Sequence, residues 1–376
     1  MNLRRFTRDV RDDIAEIGGM MAGAVDGYRR ELLELGEDPA RTRQGLVAAC
    51  SVMLATTLAL LFHLEAPWWA AISGFMSLMA TGAGSLRRGT LRMIGTIAGA
   101  FVGFVMSRWL LYDQVALCLF LAAVTMLGVV AMQVSPHGLA WLFLTITSSL
   151  VLLSSLDQPQ QAYSVACYRT LEVAVGVASA IITANLLQDW HADPPPTAPG
   201  WRHLLGQQWP AVLHGARSAI SVVAVIVVWI LLDLPQVSGM AISIAVVMSA
   251  PAAPGGLDTR HSVAIRAVHR FLGCLLGGVV ALGCLALSVT SFPWWLAMIG
   301  AAAWVGMHIQ VGRHGVGYLG TQAAFVFIVT LVQGSEPPSS IMPGLDRFAG
   351  IAGGLGILLI VSLLIWPTDA EQAEAR

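Results

Sequence analysis

The second half of this chain repeats the landmarks of the first at almost the same spacing. Arg92, Gly95 and Gly99, His137-Gly138 and Arg169 recur as Arg270, Gly273 and Gly277, His314-Gly315 and Arg347. The intervals from first arginine to histidine to second arginine are 45 and 32 residues in one half and 44 and 33 in the other. Two structural units of one kind, in tandem, account for that agreement. The residues between the landmarks are too apolar for water: 56% of the chain is hydrophobic and 11% charged, where a soluble domain carries roughly 25% charged residues. A duplicated unit that needs lipid points to a transporter or channel.

A membrane span takes about 20 mostly apolar residues, and the sequence offers about twelve such stretches. The first six are 45–63, 67–83, 91–110, 115–133, 138–155 and 169–188; the second six are 217–233, 237–252, 268–288, 292–309, 315–333 and 347–366. The expected fold is therefore an all-α integral membrane protein of about twelve transmembrane helices. Each repeat has an even number of spans, so the two six-helix units share one orientation and are related by an axis along the membrane normal. The organisation reads as a cytoplasmic N-terminal tail over 1–42, partly helical between Val10 and Leu35, a first membrane repeat over 43–188, a Pro-rich cytoplasmic linker over 189–216, a second repeat over 217–367 and a cytoplasmic tail over 368–376.

Arginine placement gives the orientation. All 21 basic residues are Arg. With both termini inside, 18 fall on the inner face and only Arg108, Arg169 and Arg347 fall outside, the asymmetry expected of cytoplasmic loops. A net charge of −1 argues against a nucleic-acid partner. The five cysteines lie in or beside apolar runs without metal-ligand spacing, so no metal site or disulfide framework is expected. Neither HExxH, GxSxG nor GxxxxGK[ST] occurs, and no cluster of carboxylates sits within the spans. Enzymatic activity, a nucleotide motor and a cofactor are therefore not expected.

The repeated cations are the candidate substrate-binding residues. Arg88 and Arg92 are four apart, as are Arg266 and Arg270, so each pair shares a helix face at the start of its third span. Such a pair attracts anions, and a guanidinium fork suits a carboxylate. Ordinary positive-inside placement is the competing reading for Arg88 and Arg266. Arg169 and Arg347 open the sixth and twelfth spans against the orientation rule and read either as a second anion station or as structural ion pairs with Glu172 and Asp346. His137 and His314, opening the fifth and eleventh spans, read either as proton-coupling groups that titrate near neutrality or as neutral helix-start residues. Gly95, Gly99 and Gly103, echoed by Gly273, Gly277 and Ala281, form a small-residue ladder for close helix packing, expected to bring the two third helices together.

Arg43 ahead of the first span, Pro67-Trp68-Trp69 opening the second, the run from Arg88 through Arg92, Gly95 and Thr96 to Gly99 in the third, and Arg169 at the sixth resemble the fusaric acid resistance (FUSC) family. That family includes aromatic carboxylic acid exporters, and the resemblance covers both halves from about Arg43 to Pro367. It implies a bacterial inner-membrane efflux protein for small organic acids, working with a periplasmic adaptor, and adds Thr96 to the substrate-binding candidates. Two departures stand out: the sizeable cytoplasmic domains of long members have no counterpart in this sequence, and Cys274 stands where the pattern favours threonine. The sequence thus reads as an exporter that moves an organic anion along an arginine-bearing path between its halves. An anion channel or uniporter of the same architecture, and a non-transporting scaffold that recruits an adaptor, are the alternatives.

Overall fold

The computed structural model describes residues 3–156, 158–190, 198, 200–204, 206, 208–232, 237–249, 257–287, 291–334 and 342–365. Among them there is no strand. A long helix, α1 (Leu3–Leu33), precedes α2 (Pro39–Leu61), α3 (Pro67–Met76), α4 (Gly82–Leu110), α5 (Gln114–Val134), α6 (Gly138–Ser154) and α7 (Ala162–Leu187). Then follow α8 (Trp209–Leu232), α9 (Val237–Met248), α10 (Leu257–Ala286), α11 (Phe292–Gln310), α12 (Gly317–Leu331) and α13 (Met342–Ile365). Seven helices are long and apolar enough to cross a membrane, namely Pro39–Leu61, Gly82–Leu110, Gln114–Val134, Pro159–Leu187, Trp209–Val228, His261–Ala286 and Phe292–Gln310. Shorter apolar helices include Gly138–Ser154, Val237–Met248 and Gly317–Leu331.

Local sequence sets the boundaries. Asp38 caps α2, its Oδ1 accepting from the Ala40 amide at 2.9 Å, with Pro39 at the first helical position. Thr81 caps α4 through Gly84 N, 3.0 Å away, and Asp113 caps α5 through Val115 N and Ala116 N, each at 3.0 Å. These caps move helix starts away from the edges of the apolar runs. Because Thr81 nucleates α4 at Gly82, Arg88 and Arg92 lie two to three turns inside the helix rather than at its start. Likewise α10 begins at Leu257, well ahead of Arg266 and Arg270, and α7 at Ala162, ahead of Arg169. The positive end of the helix dipole therefore does not bear on these cations, since its effect falls off within the first turn. α8 starts at Trp209, eight residues ahead of the expected span edge at 217.

The helices of the two sequence halves pack in a recurring set of pairs. Within the halves, α4 lies along α6 and α10 along α12; α3 packs on α7 and α9 on α13. Across the halves, α2 packs along α11 and α5 along α8, while α6 meets α9 and α12 meets α3. Each of the two seams carries an apolar core. One gathers Val47, Phe75, Trp295, Ile299 and Phe327; the other gathers Leu117, Leu121, Ile226, Ile244 and Met248.

The glycine ladder is used for close packing, though not between the third helices. A β-carbon on Gly99 would sit 2.5 Å from Leu144 O, and one on Gly273 would sit 2.6 Å from Leu319 O. Gly95 and Gly277 abut Ala140 O and Ala323 O in the same way. The ladder thus draws α4 onto α6 and α10 onto α12, each inside its own half, as backbone contact of this closeness requires residues without a β-carbon.

Candidate functional site

These glycine contacts give the register between the halves. Gly95 meets Ala140 and Phe143 where Gly273 meets Leu319 and Gln322. Phe143 therefore corresponds to Gln322, and Gly138, pressed against Met132 O, corresponds to Gly317, pressed against Gln310 O. His137 is the exposed residue before α6, while His314 lies in the loop ahead of α12, two residues off the equivalent place. The two His-Gly pairs, alike in sequence spacing, thus sit at different distances from the starts of α6 and α12.

Arg92 is the largest side chain buried almost completely, at 1% exposure. Its Nη2 donates to Ser73 Oγ at 2.9 Å, its Nη1 approaches Met76 Sδ at 3.2 Å, and its guanidinium lies 4.1 Å from the Phe143 ring centroid. Arg270 is buried in the matching position. It donates to Ser243 Oγ at 3.1 Å, to Gln322 Oε1 at 2.8 Å and to Tyr318 Oη at 3.4 Å. Neither arginine forms an ion pair among the described residues, and in both the Nε finds no partner. Thr96, one turn beyond Arg92, is wholly buried with its hydroxyl unpartnered. Arg88 is half-buried beside Met79, and Arg266 lies 4.5 Å over the Tyr318 ring. A buried guanidinium without a carboxylate is expensive in an apolar medium; Arg270 offsets part of that cost with three oxygen acceptors and Arg92 with one. Ser73, Ser243 and Gln322 did not emerge from the sequence, because small and amide side chains inside an apolar helix carry no spacing signal.

Arg169 is occupied by the protein itself. Its Nη1 bonds Glu172 Oε2 at 2.8 Å and its guanidinium lies 4.7 Å over the Trp69 ring. Glu172, fully buried, also accepts from the Ala66 amide at 2.7 Å, so the pair fastens α7 to the start of α3. Arg347 lies in the first turns of α13; its side chain is outside the described residues. Replacing Arg169 with Gln strands the Glu172 carboxylate and is expected to cost about 3–5 kcal/mol of stability. The loss should appear as lower membrane abundance and should be partly restored when Glu172→Gln is added.

A second polar cluster binds α1 to the seam between α2 and α11. Buried Glu31 accepts from Arg41 Nη2 and, at 2.8 Å, from the His314 amide. Glu34 accepts from Arg41 Nη1 at 3.1 Å and pairs with His314 Nε2 at 2.8 Å, while Arg41 also reaches His308 O at 3.1 Å. The His314 hydrogen bond, reinforced by Arg41 against a desolvation penalty, holds the Glu34 carboxyl below its usual range. His314 is thereby engaged with α1, whereas His137 is exposed.

Seven helices of membrane-spanning length, with arginines buried among them, define a multi-pass helical membrane protein. The sequence matches the Fusaric acid resistance protein-like family over residues 54–183 and 218–361, well over half of the chain, and the protein belongs to that family. It is also 29% identical over 158 residues to the p-hydroxybenzoic acid efflux pump subunit AaeB of Edwardsiella tarda (strain FL6-60), a match taking in 37% of this chain and 24% of that protein. The chain thus aligns with about a quarter of that relative's length. No solved structure matches the chain.

Proposed function

We propose that this protein exports a small organic anion, an aromatic carboxylate, from the cytoplasm across the bacterial inner membrane. The observation that carries the reading is Arg92, 1% exposed and without an acidic partner among the described residues, beside the orphaned hydroxyl of Thr96. Membership of the family and the similarity to a p-hydroxybenzoic acid efflux subunit favour the aromatic acid as cargo. In this reading the two six-helix halves lie parallel with both termini cytoplasmic, and the path runs between them past Arg88, Arg92 and Thr96 on one side and Arg266 and Arg270 on the other. Arg169 and Arg347 flank its outer end, and a periplasmic adaptor receives the product.

Proton entry is the energy source proposed for uphill export, with His314 as the candidate coupling group together with His137. A passive anion path is the second reading. It is favoured by the unequal settings of the two histidines, and by a membrane potential worth about 2.3 kcal/mol per charge per 100 mV for an anion leaving the cell. Uptake of radiolabelled 4-hydroxybenzoate into inverted vesicles clamped at zero potential separates them. Accumulation under a pH gradient is the expected result; equilibration alone identifies a channel, and absence of flux leaves a scaffold.

A further inference from the structure

We propose that the two arginine stations have diverged: Arg92 with Thr96 is the seat of the transported anion, while Arg270 is held by the protein's own side chains. The proposal rests on the export reading above and assigns one anion to each chain. It starts from the acceptors each guanidinium has. Arg270 faces three oxygen atoms, on Gln322, Tyr318 and Ser243. Arg92 faces one, on Ser73, and is otherwise met by a thioether sulfur and the face of Phe143. A thioether is a weak acceptor, and a ring face supports the cation without occupying the donors on its edge.

The difference is concentrated at two equivalent positions. Gln322 stands where the first half has Phe143: each is the side chain whose Cβ a substituent on Gly273 or Gly95 would meet, at 2.8 and 2.9 Å. The amide oxygen of Gln322, 2.8 Å from Arg270, lies where an incoming carboxylate would place one of its own oxygens. The second position is Thr96, one turn past Arg92, against Cys274, one turn past Arg270. Several helical threonines satisfy their hydroxyls on the carbonyl four residues back, as Thr56 does on Val52, Thr57 on Met53, Thr90 on Leu86 and Thr170 on Ala166. Thr96 does not, and its hydroxyl is buried with no partner. The first station therefore keeps a hydroxyl and a guanidinium edge that a carboxylate would satisfy together, forming charge-assisted hydrogen bonds. At the second station a neutral dipole already fills that role.

The test installs the second half's plug in the first. Uptake of 4-hydroxybenzoate into inverted vesicles is measured over a range of concentrations for Phe143→Gln, Thr96→Val, Arg92→Gln and Arg270→Gln, with membrane abundance measured alongside. Phe143→Gln is expected to raise KM about tenfold with normal abundance, because the new amide supplies an oxygen to a buried arginine while competing with the substrate. Thr96→Val should act in the same direction. Per molecule in the membrane, Arg92→Gln should raise KM about a hundredfold, the loss of a charge-assisted bidentate contact, while Arg270→Gln should shift KM by less than about threefold whatever it does to maximal rate. Where Arg92→Gln fails to reach the membrane, the KM of Phe143→Gln decides. An unchanged KM in Phe143→Gln, or equal KM shifts for Arg92→Gln and Arg270→Gln, overturns the divergence while leaving export intact. Absence of uptake by the unsubstituted protein removes the export reading and the divergence with it.

Discussion

Replacing Arg41 with methionine is expected to release α1 from the rest of the molecule. Arg41 is 6% exposed and neutralises Glu31, which is fully buried, while also bonding Glu34 and His308 O. Removing one member of a buried ion pair typically costs about 3–5 kcal/mol, because the other charge is left in an apolar surrounding. The apolar contact that remains, in which Ala24, Met20, Met21 and Tyr28 meet Val268, Leu272 and Val316, is small. A spin label at Leu33→Cys, with the native cysteines replaced, should change from immobile to mobile in Arg41→Met. Adding Glu31→Gln should restore much of the ordering, since the stranded charge goes with it. Mobility unchanged by Arg41→Met would show that the apolar contact holds α1 alone.

The same label tests a pH dependence whose sign follows from Glu34. Its folded-state carboxyl is held below the ordinary range, first by the hydrogen bond from His314 and then by Arg41. A lowered carboxylate pKa contributes stability that is complete above the ordinary glutamate value of about 4.3 and is lost as pH falls through the lowered folded value. Acidification over that window should loosen α1, and Glu34→Gln should make its mobility flat there.

Much of this architecture was legible before any coordinates, and the reason is periodicity over long windows. All twelve apolar stretches contain a helix, since a run of such length leaves backbone groups no other way to be satisfied in lipid. Boundaries were less legible. Thr81 and Asp113 are single capping residues, and the hydrogen bond that starts α4 nine residues before the expected 91 depends on a local backbone turn that composition does not record. The parallel arrangement of two repeats in the membrane remains a proposal supported by the paired packing of α2 with α11 and α5 with α8.

The candidate site was legible in its charges and illegible in their partners. Arg92 and Arg270 stood out because a guanidinium in an apolar run demands an explanation. The spacing of Arg169 and Glu172 already contained the ion pair that occupies them. The histidines were less legible: they lie at nearly equal distances from an arginine, 45 and 44 residues, but one helix begins two residues later relative to its His-Gly pair, and His314 pairs with Glu34. Gln322 against Phe143 could be recognised only after the glycine contacts had fixed the register.

Those glycine contacts yield the sharpest comparison between the halves. Gly99→Val places a β-carbon 2.5 Å from Leu144 O, and Gly277→Val drives one into Ala323 O at the corresponding place. In each case the obstacle is a helix backbone, which cannot turn aside as a side chain can, so α4 must part from α6, or α10 from α12. Overpacking of this kind typically costs about 1–3 kcal/mol and more when backbone must move. Both variants should therefore lose folded protein to a similar extent, measured as the fraction remaining monodisperse after heating in detergent. Gly278, whose added β-carbon would meet only Val326 Cγ1 at 3.6 Å, is the neighbouring control and should tolerate alanine. Equal losses at Gly99 and Gly277, together with unequal losses of transport at Arg92 and Arg270, would mean that duplication preserved the scaffold while the two stations it supports took different work. A large loss at one glycine and none at the other would break the equivalence of α4 and α10 from which the register of both stations is built.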